Sequence, residues 1–178
     1  MTLSHLAEAT TLVDFQDLLG VDGQRYSASS FKDKPILALV FTGNACPTAK
    51  AWDGELATLQ RMYEHFGLQI VMINPNNWYL SPEDTYERMI KRAELGQFNF
   101  PYLKDEGAAL AKRLGATVTP QVFVFDSAGA LRYTGRIADS RRPAATMRYD
   151  LKEAVEELAA GLDVTVEATE PFGCTLVL

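Results

Sequence analysis

The stretch PILALVFT at residues 35–42 constrains the fold of this chain more than any other feature. It is a nearly continuous apolar run led by proline, and such a run is typical of a central strand that is buried on both faces. A sheet of this kind needs helices on both sides, so the run predicts an α/β architecture. The apolar residues that follow it recur at steps of three and four, and they predict a helix from Pro47 to Phe66.

The remaining elements are predicted from apolar periodicity and from turn residues. Residues 11–25 predict two short extended segments around a turn at Asp22-Gly23, an N-terminal β-hairpin. The whole order predicts a parallel pair joined by a crossover, then an antiparallel hairpin, in a central mixed β-sheet flanked by helices. We expect one domain, residues 1–161, and an apolar tail, residues 162–178, that packs on it. The other predicted elements are strands at 68–74, 121–126 and 130–136 and helices at 82–95, 106–115 and 147–160.

Composition and charge limit the classes of partner and cofactor. The net charge of −6 argues against nucleic acid, because binding to the phosphate backbone needs clustered Lys and Arg. The first twelve residues have neither the basic nor the apolar region of a signal peptide, and no apolar run is long enough to span a bilayer. We therefore expect a soluble, cytoplasmic protein without a membrane partner. His5 and His65 are too few and too far apart for a metal site, so no metal or other cofactor is expected.

Cys46 is the first candidate for chemistry, because it lies between the predicted central strand and the helix that Pro47 begins. Proline is favoured at the first helical position, which makes Cys46 the N-cap residue. Free N–H groups at a helix N-terminus favour thiolate over thiol, and Lys50, one turn further on, adds a positive charge. The alternative is that Cys46 is simply a small buried apolar residue. The position before a helix favours the nucleophile.

Two further segments are candidates for the surroundings of Cys46. Pro120 precedes a predicted strand, and X-Pro bonds tolerate the cis form, although a trans proline at the start of an edge strand fits the local sequence equally well. The loop at residues 74–79 leaves the end of a predicted strand, where α/β folds build their sites. Trp78 in this loop is a candidate wall of the site, or it serves only in packing.

The order FKDKPILALVF, CP, helix and then GATVTPQVFVFDSAGALRYTGRI resembles the thioredoxin-like superfamily over residues 12–160. Within it the chain is most similar to the redoxin branch of alkyl hydroperoxide reductase/thiol-specific antioxidant type, in particular to a peroxiredoxin-like group with a CPxxK site and a terminal Phe-Gly-Cys. The resemblance implies a thioredoxin-like fold and a cis Thr119-Pro120 bond beside Cys46. Together with the loop at 74–79, this makes Pro47, Thr119, Pro120 and Trp78 the candidate substrate-binding residues. The resemblance also implies a helical insertion at residues 83–96.

The chain departs from the patterns of both parent families. Thioredoxins carry a second cysteine three residues after the first, where this chain has Ala49. Peroxiredoxins place a threonine three residues before the nucleophile, where this chain has Gly43, and Thr42 is one residue too early. Peroxiredoxins also hold the peroxide with an arginine, and only Arg136 is a loose candidate for that role. Neither mechanism is therefore expected to apply unchanged.

Cys174 offers the thiol that is missing at position 49. It lies in the apolar tail, where Phe172, Leu176, Val177 and Leu178 are expected to dock, and Gly173 permits the close backbone approach that a disulfide needs. The alternative is a thiol near the terminus without a role. The functional interpretation makes Cys174 a resolving cysteine that leaves a disulfide with Cys46.

These observations predict a thiol-dependent, peroxiredoxin-like redox protein. Cys46 would reduce a peroxide or exchange with a disulfide, Lys50 would stabilise its thiolate, Cys174 would resolve it, and a thiol reductant such as a thioredoxin would regenerate it. The alternative is a non-catalytic thioredoxin-fold module that binds an extended peptide or senses redox state. Homodimer formation is left open by the sequence.

Overall fold

The computed structural model describes residues 12–178, and within this range seven strands form one mixed sheet in the order β2-β1-β5-β4-β3-β7-β8. The strands of this sheet are β1 (Leu18–Gly20), β2 (Arg25–Tyr26), β3 (Ile36–Phe41), β4 (Leu68–Asn74), β5 (Tyr102–Lys104), β7 (Gln121–Phe125) and β8 (Leu131–Gly135). Two further strands, β6 (Val118–Thr119) and β9 (Cys174–Thr175), pair only with each other. The helices are α1 (Pro47–Lys50), α2 (Asp53–Tyr63), α3 (Tyr86–Leu95), α4 (Ala109–Leu114) and α5 (Asp150–Ala159).

The centre of the sheet is the apolar run that the sequence singles out. Strand β3 pairs in parallel with β4 on one side and antiparallel with β7 on the other, and all six of its residues are buried. Successive side chains of a strand point to opposite faces. Ile36, Ala38 and Val40 accordingly pack towards α2, α3 and α5, whereas Leu37, Leu39 and Phe41 pack towards α4 and the segment around Phe15 and Phe31. The predicted mixed sheet with helices on both faces is confirmed.

The N-terminal hairpin is also confirmed, within the described residues. Strands β1 and β2 pair antiparallel around the turn at Asp22-Gly23, where Gly23 has a φ of +80°. Residue 11, with which the predicted range begins, lies outside the described part of the chain. The hairpin joins the sheet through β1, which pairs antiparallel with β5.

Two predicted helices are interrupted. The helix predicted from Pro47 to Phe66 breaks after Lys50 and ends in a 3₁₀ turn at Glu64–Phe66. At the break, the N–H of Trp52 bonds to the carbonyl of Ala49, three residues back, and the indole is buried in the core. The helix predicted at 82–95 consists of a 3₁₀ turn, Pro82–Asp84, and α3, because Thr85 between them is extended. This extended residue leaves Asp84 in the interior, where its carboxylate is hydrogen-bonded.

Three short strands were not predicted. Strand β5 has three residues and ends at a lysine, and β6 and β9 have two residues each. The pairing of β6 with β9 brings the C-terminal tail onto the loop before β7, with Val118 opposite Thr175 and Thr119 opposite Cys174. This pairing docks the tail on the domain.

Only one of the four tail side chains that were expected to be buried is fully so. Leu176 is 8% exposed and packs in the same core cluster as Phe41 and Phe123. Phe172 and Val177 are half-buried, and Leu178 is exposed. The expectation for Leu178 was wrong, since the tail is held by backbone pairing and by one apolar anchor and not by four.

Candidate active site

Cys46 lies where the sequence predicts it, at the N-cap of α1. Its backbone is extended, Pro47 takes the first helical position, and the N–H of Ala49 points at Sγ from 3.4 Å. The residue is 3% exposed, so its sulfur is shielded from solvent. A neighbouring N–H group stabilises negative charge on sulfur, which favours the thiolate once the cysteine is reduced.

The predicted cis bond between Thr119 and Pro120 is present, and its loop lies against the cysteine. The carbonyl oxygen of Thr119 lies 3.3 Å from Sγ of Cys46. A carbonyl can accept a hydrogen bond from a thiol but not from a thiolate. This oxygen is therefore a hydrogen-bond partner only for the protonated form of Cys46.

Cys46 and Cys174 form a disulfide, with Cα atoms 5.9 Å apart across 128 positions of sequence. Gly173 makes this approach feasible, because it has a φ of +152° and a Cβ at its position would overlap the carbonyl oxygen of Thr119. Beyond Cys174 the tail forms hydrogen bonds to two separate segments of the domain. The N–H of Leu176 donates to Thr117 O at 3.1 Å, and Val177 exchanges bonds with the loop at Asn76 and Asn77.

A buried arginine that the sequence analysis missed holds the segment before Cys46. Arg92 of α3 is 7% exposed, and its guanidinium forms a bidentate pair with Asp53 at 2.7 and 3.0 Å. The remaining N–H groups donate to Thr42, Asn44 and Tyr102 at 3.0–3.3 Å. All five N–H groups of the guanidinium are thus used within the protein. Arg92 holds the Cys46 segment and has no free donor for a peroxide.

Titration behaviour around Arg92 follows from its burial and its partners. Burial alone would lower the pKa of Arg92, but the hydrogen bond to Asp53 and nearby charges outweigh it and raise that pKa. Burial raises the pKa of the Tyr102 hydroxyl to about 12, although the charge of Arg92 acts in the opposite direction. Burial also lowers the pKa of the Lys104 amine, against the effect of Glu106 and other nearby carboxylates. The arginine thus stays charged and the tyrosine stays a neutral hydroxyl.

The carboxylate of Asp84, fully buried, joins several segments at the carboxyl ends of the strands. Its Oδ1 accepts from the backbone N–H of Asn44 at 2.7 Å and from the side chain of Asn74 at 2.8 Å. Its Oδ2 accepts from Ser81 at 2.6 Å and from Asn76 at 3.2 Å. From the sequence alone, Asp84 is an acidic residue in the first turn of the helix predicted at 82–95, where acids are common. No sequence periodicity could have linked it to Asn44, forty residues earlier.

The other predicted site residues, Pro47, Lys50 and Trp78, are exposed. Pro47 is exposed at the start of α1, and Arg141, which lies over the ring of Phe172, reaches Thr48 at 3.3 Å. Lys50 is exposed and lines a cavity of about 360 Å³ with Asn44 and residues of α3. Trp78 is 42% exposed and stacks on Tyr79. Their roles stay predictions.

Arg136, the loose candidate for holding a peroxide, forms a salt bridge within the protein. Arg136 donates to the buried carboxylate of Asp150 at 2.7 Å, and the hydrogen bond raises its pKa. Among residues 12–178, no three His, Cys, Asp or Glu side chains cluster in a way that would hold a metal ion. In the same range, no helix is long and apolar enough to cross a membrane. His5 lies outside the described residues.

Solved structures confirm the thioredoxin-like fold. A hypothetical protein from Sinorhizobium meliloti 1021 is 32% identical, with a TM-score of 0.86 over 95% of this chain and 95% of its own. An uncharacterized conserved protein from Geobacillus kaustophilus is 30% identical, with a TM-score of 0.85 over 96% of this chain and 94% of its own. A secreted disulfide oxidoreductase of Mycobacterium tuberculosis, 17% identical, matches with a TM-score of 0.60 over 83% of this chain and 96% of its own.

The search of curated proteins finds no match. The family model named Redoxin matches residues 7–153, which is most of the chain. This match includes Cys46 and the cis-proline loop and stops before the tail that carries Cys174. The chain therefore belongs to the redoxin family, with the thioredoxin-like fold and a disulfide between its two cysteines.

Proposed function

We propose that this protein reduces a hydroperoxide with Cys46 as the nucleophile and Cys174 as the resolving cysteine. The observation that carries the proposal is the disulfide between an N-cap cysteine and a cysteine of the docked tail. Such a bond is the product that a two-cysteine peroxidase leaves after one turnover.

The proposed cycle balances in two steps and a regeneration. The Cys46 thiolate attacks one peroxide oxygen, so that an S–O bond forms, the O–O bond breaks, and the other oxygen leaves as an alcohol after taking a proton. Cys46 is then a sulfenic acid. The Cys174 sulfur attacks it, the S–O bond breaks, and water leaves with the proton of Cys174. An external dithiol reduces the resulting disulfide and is itself oxidised to a disulfide.

The burial of Cys46 favours a small oxidant over a protein disulfide. Cys46 is 3% exposed, and the tail covers it through contacts that do not depend on the S–S bond, among them the Leu176 anchor and the bond from its N–H to Thr117. We expect these contacts to remain after reduction, so that access to Cys46 would stay narrow. Cys174 is only half-buried, so a thiol reductant such as a thioredoxin would attack Cys174 and release the Cys46 thiolate.

A second candidate, a thioredoxin-fold module that senses redox state or binds an extended peptide without turnover, is favoured by three observations. Gly43 stands where peroxiredoxins have a threonine, and the buried Arg92 uses every N–H within the protein. Neither of these two positions therefore offers a free donor for holding a peroxide. The pairing of β6 with β9 also means that the loop before Pro120 accepts an extended segment.

Peroxide-dependent oxidation of a dithiol, measured for wild type, Cys46→Ser and Cys174→Ser, tests the proposal. We expect turnover in wild type, none in Cys46→Ser, and in Cys174→Ser a loss of turnover with accumulation of sulfinic acid at Cys46. A wild type that forms the disulfide once but never consumes peroxide catalytically would support the sensing module instead. The proposed compartment is the cytoplasm, where dithiol reductants are maintained.

A further inference from the structure

Asn76 connects the interior of the protein to the C-terminal tail. It is 5% exposed, and each of its four polar groups has a partner. Its N–H donates to Asn74 Oδ1 at 3.0 Å, its carbonyl accepts from Lys104 Nζ, and its Nδ2 donates to Asp84 Oδ2 at 3.2 Å. Its Oδ1 accepts from the N–H of Val177 at 2.9 Å, three residues beyond Cys174. Three of its contacts are therefore internal, and the fourth holds the tail.

The orientation of the Asn76 side chain is determined by these partners. The carboxylate of Asp84 can only accept, and the N–H of Val177 can only donate. Flipping the amide would place oxygen against oxygen and N–H against N–H, so only one orientation satisfies both. Because unpaired buried polar groups cost free energy, Asn76 is fixed as long as Asp84 is in place.

Asp84 itself links the two cysteine segments. One of its oxygens accepts from the N–H of Asn44, two residues before Cys46, and the other accepts from the side chain of Asn76, which holds Val177. The path from Cys46 to Cys174 through this carboxylate runs over three hydrogen bonds and avoids the S–S bond. The relative position of the two sulfurs is thus set by a buried side-chain network as well as by the pairing of β6 with β9.

We propose that Asn76, oriented by Asp84, is a positioning residue that keeps Cys174 at bonding distance from Cys46 when both are reduced. This inference rests on the proposed function, in which Cys174 resolves Cys46. The quantity that Asn76 would raise is the effective concentration of the Cys174 thiol at Cys46. Closing a loop of 128 positions by chance alone is entropically costly, so contacts that hold the tail raise this concentration.

The test measures the equilibrium of the Cys46–Cys174 disulfide against a glutathione redox buffer, with the free thiols counted by alkylation and mass. Asn76→Ala removes one hydrogen bond to the tail, and we expect the effective concentration to fall about tenfold. Removing Val177 and Leu178 eliminates the same bond and the one from Asn77, so the fall should be at least as large. In the truncated chain, Asn76→Ala should change the effective concentration by less than twofold, because the N–H of Val177 that Asn76 binds is absent.

Asn99→Ala is the matched control. Like Asn76, Asn99 forms one side-chain hydrogen bond to the backbone, here by donating to the carbonyl of Ala57 at 3.0 Å, and that partner lies in α2 and not in the tail. This variant should leave the disulfide equilibrium unchanged. The pH midpoint of Cys46 alkylation, measured in a Cys174→Ser background, should also be the same with and without Asn76→Ala, since Asn76 acts on the tail.

Two results would overturn the positioning role. One is an equilibrium for Asn76→Ala within twofold of wild type, and the other is an equal fall in the full and truncated chains, which would mean that Asn76 acts through the general fold. If Asn76→Ala does not fold, the chain without Val177 and Leu178 is the remaining test. An unchanged disulfide equilibrium in that chain would refute the inference. The assay uses no peroxide, so a failure of the peroxidase proposal would appear separately.

Discussion

Gly173 offers the sharpest single test of how the tail brings Cys174 to Cys46. Its φ of +152° lies in a region that favours glycine, and a Cβ there would overlap the carbonyl group of Thr119 and crowd the ring of Pro120. These atoms are backbone and ring atoms of a buried loop and cannot move aside as a flexible side chain could. Gly173→Ala should therefore force β9 away from β6.

The free-energy cost of Gly173→Ala to the docked tail has two contributions. An L-residue held in such a backbone region costs about 1–3 kcal/mol. Relief of the overlap costs about a further 1–3 kcal/mol, as for an added methyl group in a packed interior. Even the lower sum, about 2 kcal/mol, corresponds to roughly 30-fold in an equilibrium constant. We expect the disulfide of the variant to be at least about 30-fold easier to reduce than that of wild type.

The assay is the fraction of disulfide in dithiothreitol buffers of graded oxidation, read by alkylation and non-reducing peptide mapping. Gly161→Ala is the matched control, because Gly161 also has a positive φ, +74°, but no atom lies within 4 Å of a Cβ built there. That variant should lose about 1–2 kcal/mol of unfolding free energy and keep the wild-type disulfide equilibrium. A Gly173→Ala equilibrium within threefold of wild type would refute the proposed geometry of the tail.

Three further predictions concern the surroundings of the cysteines. Arg92→Met should lower the free energy of unfolding in urea by about 3 kcal/mol, because the carboxylate of Asp53, whose side chain is only 15% exposed, loses its partner, and adding Asp53→Leu should restore part of the loss. Burial raises the pKa of Tyr102 to about 12, so the unfolded chain ionises first. The free energy of unfolding should fall between pH 10 and 12 by roughly 3 kcal/mol from this group, and Tyr102→Phe should flatten the profile. Reduced Cys46 should be alkylated by iodoacetamide with a midpoint below about 8.5, and Lys50→Met should raise that midpoint.

The parts of the fold that could be predicted are those with strong local patterns. Strands β3, β4 and β7 are long and apolar, and their bounds agree with the prediction to within one residue at each end. The missed strand β5 has three residues and ends at Lys104, which is buried by tertiary contacts that no local pattern records. The break in the helix before α2 was likewise missed because it depends on tertiary contacts. Trp52 fits a continuous helix by spacing, but its burial is set by its neighbours in the core.

The candidate site also has some residues that the sequence could predict and others that it could not. Cys46 at a helix start could be read from the sequence, and the cis bond before Pro120 was expected from the family resemblance. Arg92 could not be found, since it lies 39 positions from Asp53 and 50 from Thr42, and each partner looks ordinary alone. A buried network is defined by the geometry of its members in the folded chain, and a single sequence carries no signal for it.

The position of the second cysteine determines what sets the redox equilibrium of this protein. In a Cys-x-x-Cys site both thiols lie on one helical turn, so their approach is fixed by local backbone geometry. Here Ala49 occupies that place, and the second thiol arrives from 128 positions away on a tail that must first dock. The free energy of docking therefore enters the disulfide equilibrium directly. Changes at Leu176, Gly173 or Asn76, none of them a thiol, should shift the redox potential while leaving the acidity of Cys46 unchanged.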